Sequence, residues 1–176
     1  MKKIMFSDKY CLTQAVLDGT KTMTRRLLKN GTPLGNWEET EKHLPYKVGE
    51  IVAIAQSYHT LNKSGYTAPE WLDHVCESSA GYENKMFVRA DLMPHHIRIT
   101  DVKVERLQSI TDDDIMREGI YRFGKSVYAF ERKAEGYLSM FPTAREAFAS
   151  LIDKISGNGI WESNPFVVAY GFELVD

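Results

Sequence analysis

The chain is poor in cysteine, has no long apolar run and carries no excess of charge of either sign. Among 176 residues only Cys11 and Cys76 are cysteines. They are far apart and lack metal-ligand spacing, which excludes a disulfide framework and a cysteine-based zinc site. Each reads as a small buried hydrophobe in a reducing compartment. No stretch approaches the about 18 apolar residues of a membrane helix. The opening M-K-K-I-M-F-S-D is interrupted before any signal-peptide core forms. A cytoplasmic location without membrane association is therefore expected. Twenty-two Lys and Arg against 24 Asp and Glu leave a formal net charge of -2, so any polyanion site must be a local patch. Neither G-x-x-x-x-G-K-[ST] nor G-x-G-x-x-G occurs, which removes the phosphate-loop and dinucleotide-binding classes. No repeat, low-complexity tract or linker divides the chain, so one domain over 1-176 is expected, with no sign of a required metal or organic cofactor.

What is present suits a folded globular domain: 43% hydrophobic and 26% charged residues suffice for a core without staples. Ser7 or Asp8 suits a cap for a short helix in which Cys11, Leu12, Ala15 and Val16 recur at helical spacing, with Gly19 as its stop. Thr22 to Arg26 reads as extended, and 29 to 47 as a loop. I-V-A-I-A from Ile51 reads as a buried strand. Pro69 to Cys76 reads as one short helix. Ile97 to Leu107 alternates as a strand but changes phase near Thr100 and Asp101, as a bulge or bend requires. Thr111 caps a helix that ends at Glu118 and Gly119, and Thr143 with Glu146 opens a second, burying Ala147, Phe148, Leu151, Ile152 and Ile155. P-F-V-V-A-Y-G-F-E-L closes the chain as a strand, with Pro165 at its first position, where no ladder donor is needed. Several strands and three or four short helices without regular alternation point to an α+β fold with a mostly antiparallel sheet or small barrel.

His95 and His96 are not read as a metal pair, because adjacent residues on an extended chain face opposite ways. Asp112, Asp113 and Asp114 are placed where a helix dipole favours acids. The crowded octet G-T-K-T-M-T-R-R at 19 to 26 carries more. Lys21, Arg25, Arg26 and Lys29 form a basic cluster that suits either a phosphate or a solvated surface. Spacing alone favours hydroxyls that terminate the helix. A bend at Gly19 that brings Lys21 to Thr24 would instead make a lysine-activated nucleophile.

F-S-x(7)-A-V-L-D-G-T-K-T-M-T-R-R resembles the N-terminal signature of ASCH-domain proteins. The likeness continues through P-Y-K-V-G-E-I-V at 45 to 52, Met93-Pro94, the run 97 to 120, A-R-E-A-F-A-S-L-I-D-K-I at 144 to 155 and W-E-S-N-P-F-V-V-A-Y-G-F-E at 161 to 173. It is nearest to the larger members encoded by phages and prophages. The resemblance implies a PUA-like, mostly antiparallel β-barrel with flanking short helices, extended here by insertions at about 59-92 and 121-142. Small bacterial members are amidohydrolases of N(4)-acetylcytidine. By motif position their lysine base, threonine nucleophile and glutamate fall on Lys21, Thr24 and Glu118. Thr22, Arg25, Arg26, Tyr46 and Tyr58 become candidate ligand contacts.

Two function classes follow. One is hydrolysis of an acylated nucleobase or nucleoside amide, with Lys21 deprotonating Thr24 and Glu118 protonating the leaving amine. The other is a non-catalytic module that holds a nucleoside or single-stranded RNA, or a phage accessory protein with some other partner. The larger relatives carry an arginine, a glutamate and a tryptophan after the second strand, where this chain has Ala55, Gln56, Ser57 and Tyr58, so a different substrate is compatible with the motif.

Overall fold

The computed structural model describes residues 1-66, 79-130 and 139-176. The helix expected over Pro69 to Cys76 lies outside them, as does Cys76 itself. In chain order the elements are β1 (Lys2–Ile4), α1 (Leu12–Leu17), β2 (Met23–Leu27), α2 (Trp37–Lys42), β3 (Ile51–Ile54), α3 (Tyr58–Lys63), β4 (His96–Arg106), α4 (Asp112–Arg117), β5 (Tyr121–Phe123), β6 (Val127–Ala129), α5 (Ala144–Ser156), α6 (Ile160–Ser163) and β7 (Phe166–Leu174). The fold is α+β, with a five-stranded sheet and a two-stranded one. Among the described residues no ladder joins the outer strands β1 and β2, so the expected closed barrel is not formed there. No described helix is long and apolar enough to cross a membrane.

The chain divides into two compact units. The first comprises Met1–Phe6, Ile51–Arg98 and Leu174–Asp176. In it β1 runs parallel to β3, and β3 pairs antiparallel with the start of β4, Ile51 opposite Arg98. The apolar run that suggested β3 does not alternate because Val52, Ala53 and Ile54 are all buried, as in a strand covered on both faces. Ser57 caps α3 through its hydroxyl, which accepts from the Thr60 amide at 3.1 Å. The unit's core gathers Ala53, Ala55, Tyr58, Leu61, Val88, Leu92 and Met93. Gly81 is packed so closely on the Tyr58 ring that an added Cβ would lie 2.7 Å from it.

The second unit comprises Ser7–Glu50 and Ile99–Glu173. Here β2 pairs antiparallel with β7, Thr24 opposite Tyr170 and Arg26 opposite Val168. The phase change expected in β4 is present: Ile99 is buried, Thr100 and Asp101 are both exposed, and Val102 turns inward again. Gly171 of β7 faces that step, where an added Cβ would approach Asp101 Cβ at 3.2 Å and Thr100 Oγ1 at 3.3 Å. Thr111 and Thr143 cap α4 and α5, accepting from the Asp114 and Glu146 amides at 3.2 and 3.1 Å. Ala147, Phe148, Leu151 and Ile152 are buried as their spacing predicts, whereas Ile155 in the last turn is 45% exposed.

Three local expectations change. The loop read over 29 to 47 contains α2, whose Asn36 cap accepts from Glu38 N at 2.9 Å. Its cap and its acid-to-base order were visible in N-W-E-E-T-E-K, but only Thr40 is buried, so it carries no apolar stripe to reveal a helix. α1 begins after Cys11, which is half-buried and left-handed (φ 56°) and makes no side-chain cap. Asp8 accepts instead from the Thr13 hydroxyl. Within the segment 121 to 142, expected as an insertion, β5 and β6 form a hairpin.

Candidate functional site

The octet leaves α1 through a tight bend. The amides of Thr20 and Lys21 both donate to Ala15 O, at 2.9 and 2.8 Å, while Gly19 adopts φ 71°. Thr22 N then donates to Arg117 O at 2.9 Å, and Thr22 Oγ1 accepts from Arg117 Nε at 3.2 Å. These bonds tie the start of β2 to the end of α4. Gly119, at φ 99°, lies against the Lys21 stem, where an added Cβ would meet Lys21 Cδ at 3.5 Å.

Lys21 is buried, and its Nζ donates to Met23 O, Glu118 O and Glu118 Oε2, each at 2.7 Å. Three acceptors match the three protons of an ammonium. Glu118 is the residue at which α4 ends, a position where the helix dipole disfavours an acid. Lys21 reverses that penalty by binding both its carbonyl and its carboxylate. Burial pulls the Lys21 proton affinity below the ordinary lysine value, against the charge and hydrogen bond of Glu118, and Arg26 and Arg25 add to the lowering.

Arg25 lies on the opposite face of β2 from Thr24 and Arg26. Its side chain is fully buried among three carboxylates. Nε and Nη2 reach Glu105 Oε1 at 3.0 and 2.6 Å, Nη2 also reaches Asp114 Oδ2 at 2.8 Å, and Nη1 reaches Glu118 Oε1 at 3.1 Å. Lys103, partly exposed, adds a contact to Asp114 Oδ2 at 2.9 Å and one to Glu105 Oε2 at 3.4 Å. Burial works against the Arg25 charge, but the three acids outweigh it and its pKa rises. With Lys21, Lys103 and Arg117, whose Nη1 lies 3.5 Å from Asp114 Oδ1, the cluster holds four cations and three anions.

Burial also pushes the Asp114 carboxyl up, but hydrogen bonds from Lys103 and Arg25 and their charges prevail, and its pKa is lowered. A depressed folded pKa makes this contribution to stability complete above the ordinary carboxylate value of about 3.9 and lost as pH falls through the lower folded value. In urea titrations below about pH 4, the unfolding free energy of the wild type should fall more steeply with acidification than that of Asp114→Asn.

The face carrying Thr24 and Arg26 is different. Thr24 is buried, and among the described residues its Oγ1 makes no hydrogen bond. Lys21 Nζ is therefore joined to Glu118 and not to Thr24. Opposite Thr24, Tyr170 is fully buried; the Tyr46 backbone lies toward its hydroxyl oxygen, and the hydroxyl proton meets no acceptor among the described residues. Burial pushes the Tyr170 phenol up to about 12, although the nearby Tyr46 backbone favours the ionised form. Half-buried Tyr46 meets the Tyr170 ring edge-to-face, with centroids 5.3 Å apart. Burial lowers the Arg26 pKa, and Tyr46, Glu118 and Tyr170 oppose the shift.

Sequence reasoning thus named Lys21, Thr22, Thr24, Arg25, Arg26, Tyr46 and Glu118, all of which lie in the second unit. Tyr58 lies in the first, 4% exposed in its core, with its hydroxyl accepting from Arg89 N at 3.1 Å. That burial leaves no open ring face for a base to stack on. Arg25 is likewise enclosed by acids. Glu105, Asp114, Lys103 and Tyr170 were missed. Asp114 had a local explanation as a helix-start acid, and Tyr170 reads as one more core residue until the β2–β7 register sets it against Thr24. Two open grooves of about 450 and 540 Å³ elsewhere on this unit are lined by no octet residue.

No family model and no curated protein matches the chain. Among solved structures, protein EF3133 from Enterococcus faecalis V583, of family DUF984, is similar at 15% identity with a TM-score of 0.41, over 94% of this chain and 67% of that one. The ASCH domain from Lactobacillus crispatus JV V101 is similar at 13% identity with a TM-score of 0.39, over 95% of this chain and 72% of that one.

Proposed function

We propose that the second unit is an ASCH-type, PUA-like ligand-binding module, and that it holds a nucleobase or nucleoside against Thr24, Arg26, Tyr46 and Tyr170. The observation that carries this reading is the buried hydroxyl of Tyr170, whose proton meets no acceptor among the described residues. Leaving such a group unsatisfied costs about 1–3 kcal/mol, a cost that a bound acceptor would remove. Thr24 Oγ1 and the Arg26 guanidinium add donors on the same strand face, and the Tyr46 ring adds an aromatic wall. The G-x-K-T-x-T-x-R motif supports the same choice of ligand.

Calorimetric titration with cytidine and with N(4)-acetylcytidine tests it. Tyr170→Phe is expected to be as stable as the wild type or about 1 kcal/mol more stable, and to bind about tenfold more weakly, the worth of one hydrogen bond. Unchanged affinity in that variant, or no binding by the wild type, would remove the reading. Single-stranded RNA is the competing ligand. Its signature is affinity that falls steeply with salt, and the formal net charge of -2 leaves only a local patch to supply that attraction.

A hydrolytic role is a second reading, favoured by a buried lysine of lowered proton affinity three residues before a threonine whose hydroxyl is engaged in no hydrogen bond among the described residues. Lys21 would have to lose a proton and turn from Met23 O to Thr24. With that proton taken up by Glu118 Oε2, neutral Lys21 would accept the Thr24 proton and the alkoxide would attack the acetyl carbonyl. Glu118 would give its proton to the departing amine, and water would then cleave the acetyl-threonine ester to free acetate. Release of acetate from N(4)-acetylcytidine, abolished in Lys21→Ala and Thr24→Ala, is the expected result. Activity that survives both substitutions removes these roles.

A further inference from the structure

We infer that Asp114 and Glu105 are positioning residues: through Arg25 they fix the carboxylate of Glu118 so that one oxygen is left to Lys21. The inference rests on the reading in which Lys21 and Glu118 serve the ligand site, and its test separates the two.

The geometry supports a clamp rather than a set of independent pairs. Glu118 is divided between two cations, Oε1 to Arg25 Nη1 at 3.1 Å and Oε2 to Lys21 Nζ at 2.7 Å. Arg25 is divided in turn: Nη2 and Nε are taken by Glu105 and Asp114, which leaves Nη1 for Glu118 and the Met23 sulfur at 3.1 Å. A guanidinium is planar with a fixed fork of donors. Two acids on one side therefore set the direction in which the remaining N–H groups point. Asp114 is itself held by Lys103 at 2.9 Å and by Arg117 at 3.5 Å. The cap explains why an acid stands at this helix position, yet the Asp114 carboxylate is directed to Arg25 and Lys103.

Removing the Asp114 charge leaves Arg25 with one fewer anionic partner, so Arg25 draws on Glu118 more strongly and Lys21 loses part of its partner. The charged groups that face Lys21 are Glu118 from the end of α4 and Arg25 and Arg26 from β2. Weakening the contact with Glu118 exposes Lys21 to the two arginines without compensation.

The test is NMR titration of the Lys21 side-chain nitrogen in folded, lysine-labelled protein, with urea unfolding and cytidine binding measured on the same samples. In Asp114→Asn and in Glu105→Gln the Lys21 titration midpoint is expected to fall by about one pH unit. Asp114→Glu, which keeps the charge, should return it toward the wild-type value. If stability drops but the Lys21 titration is unmoved in both neutral variants, the acids are merely structural and the inference is overturned. Should Asp114→Asn not fold, Glu105→Gln alone decides. Failure of the wild type to bind cytidine would remove the ligand reading and leave the Lys21 result to judge this inference.

Discussion

Replacing Arg25 by alanine is expected to lower the unfolding free energy by about 3–5 kcal/mol, the usual consequence of leaving buried charges without their partner. The three acids around it are mostly buried: the side chains of Glu105, Asp114 and Glu118 are 16%, 12% and 5% exposed. Without the guanidinium, Glu118 keeps Lys21 and Asp114 keeps Lys103, but their negative charges face one another across an emptied site. Urea unfolding would read the loss as a lower midpoint at unchanged slope. Arg25→Lys should recover only a minor part, because a single ammonium cannot serve acceptors that lie along the planar fork. A loss below about 1 kcal/mol, the range of an exposed ion pair, would mean that the cluster is solvated.

Lys21→Met should be nearly as costly, at about 3 kcal/mol or more, for a different reason. The thioether fills much of the space of the lysine stem against Gly119, so packing is largely kept. What is lost is a donor to Glu118 Oε2, to Glu118 O at the end of α4 and to Met23 O. Glu118→Gln in the same protein removes the uncompensated charge and should restore part of the stability. A double-mutant cycle is expected to return a coupling of about 1–3 kcal/mol between the two positions. Additive losses would show that Lys21 serves mainly as a cap for the helix carbonyl. The stability cycle also separates structural from catalytic loss in any activity assay of Lys21 variants.

Much of the local structure was legible because it depends on near neighbours. Thr111 and Thr143 announced α4 and α5, the alternation of β4 showed its own phase change, and the hydroxyl-rich exit from α1 marked the bend that carries Lys21. The helix α2 escaped notice because its signals are electrostatic and its surface is exposed. A barrel was expected from the family likeness, and strand pairing among the described residues stops short of one.

The sequence by itself determined α1, α4 and α5 and the strands β2, β3, β4 and β7, that Thr24 and Arg26 share one strand face while Arg25 takes the other, and that Lys21 and Glu118 stand at the ends of elements. Those are consequences of period, capping and chain geometry within a few residues. Only the tertiary structure decided that Arg25 is enclosed by Glu105, Asp114 and Glu118, which are 80, 89 and 93 residues away in the chain, and that Tyr170 stands across from Thr24. Charged and aromatic side chains carry no label for a distant partner. That choice is made by strand register and helix packing, which bring together groups whose burial is tolerable only once they have met.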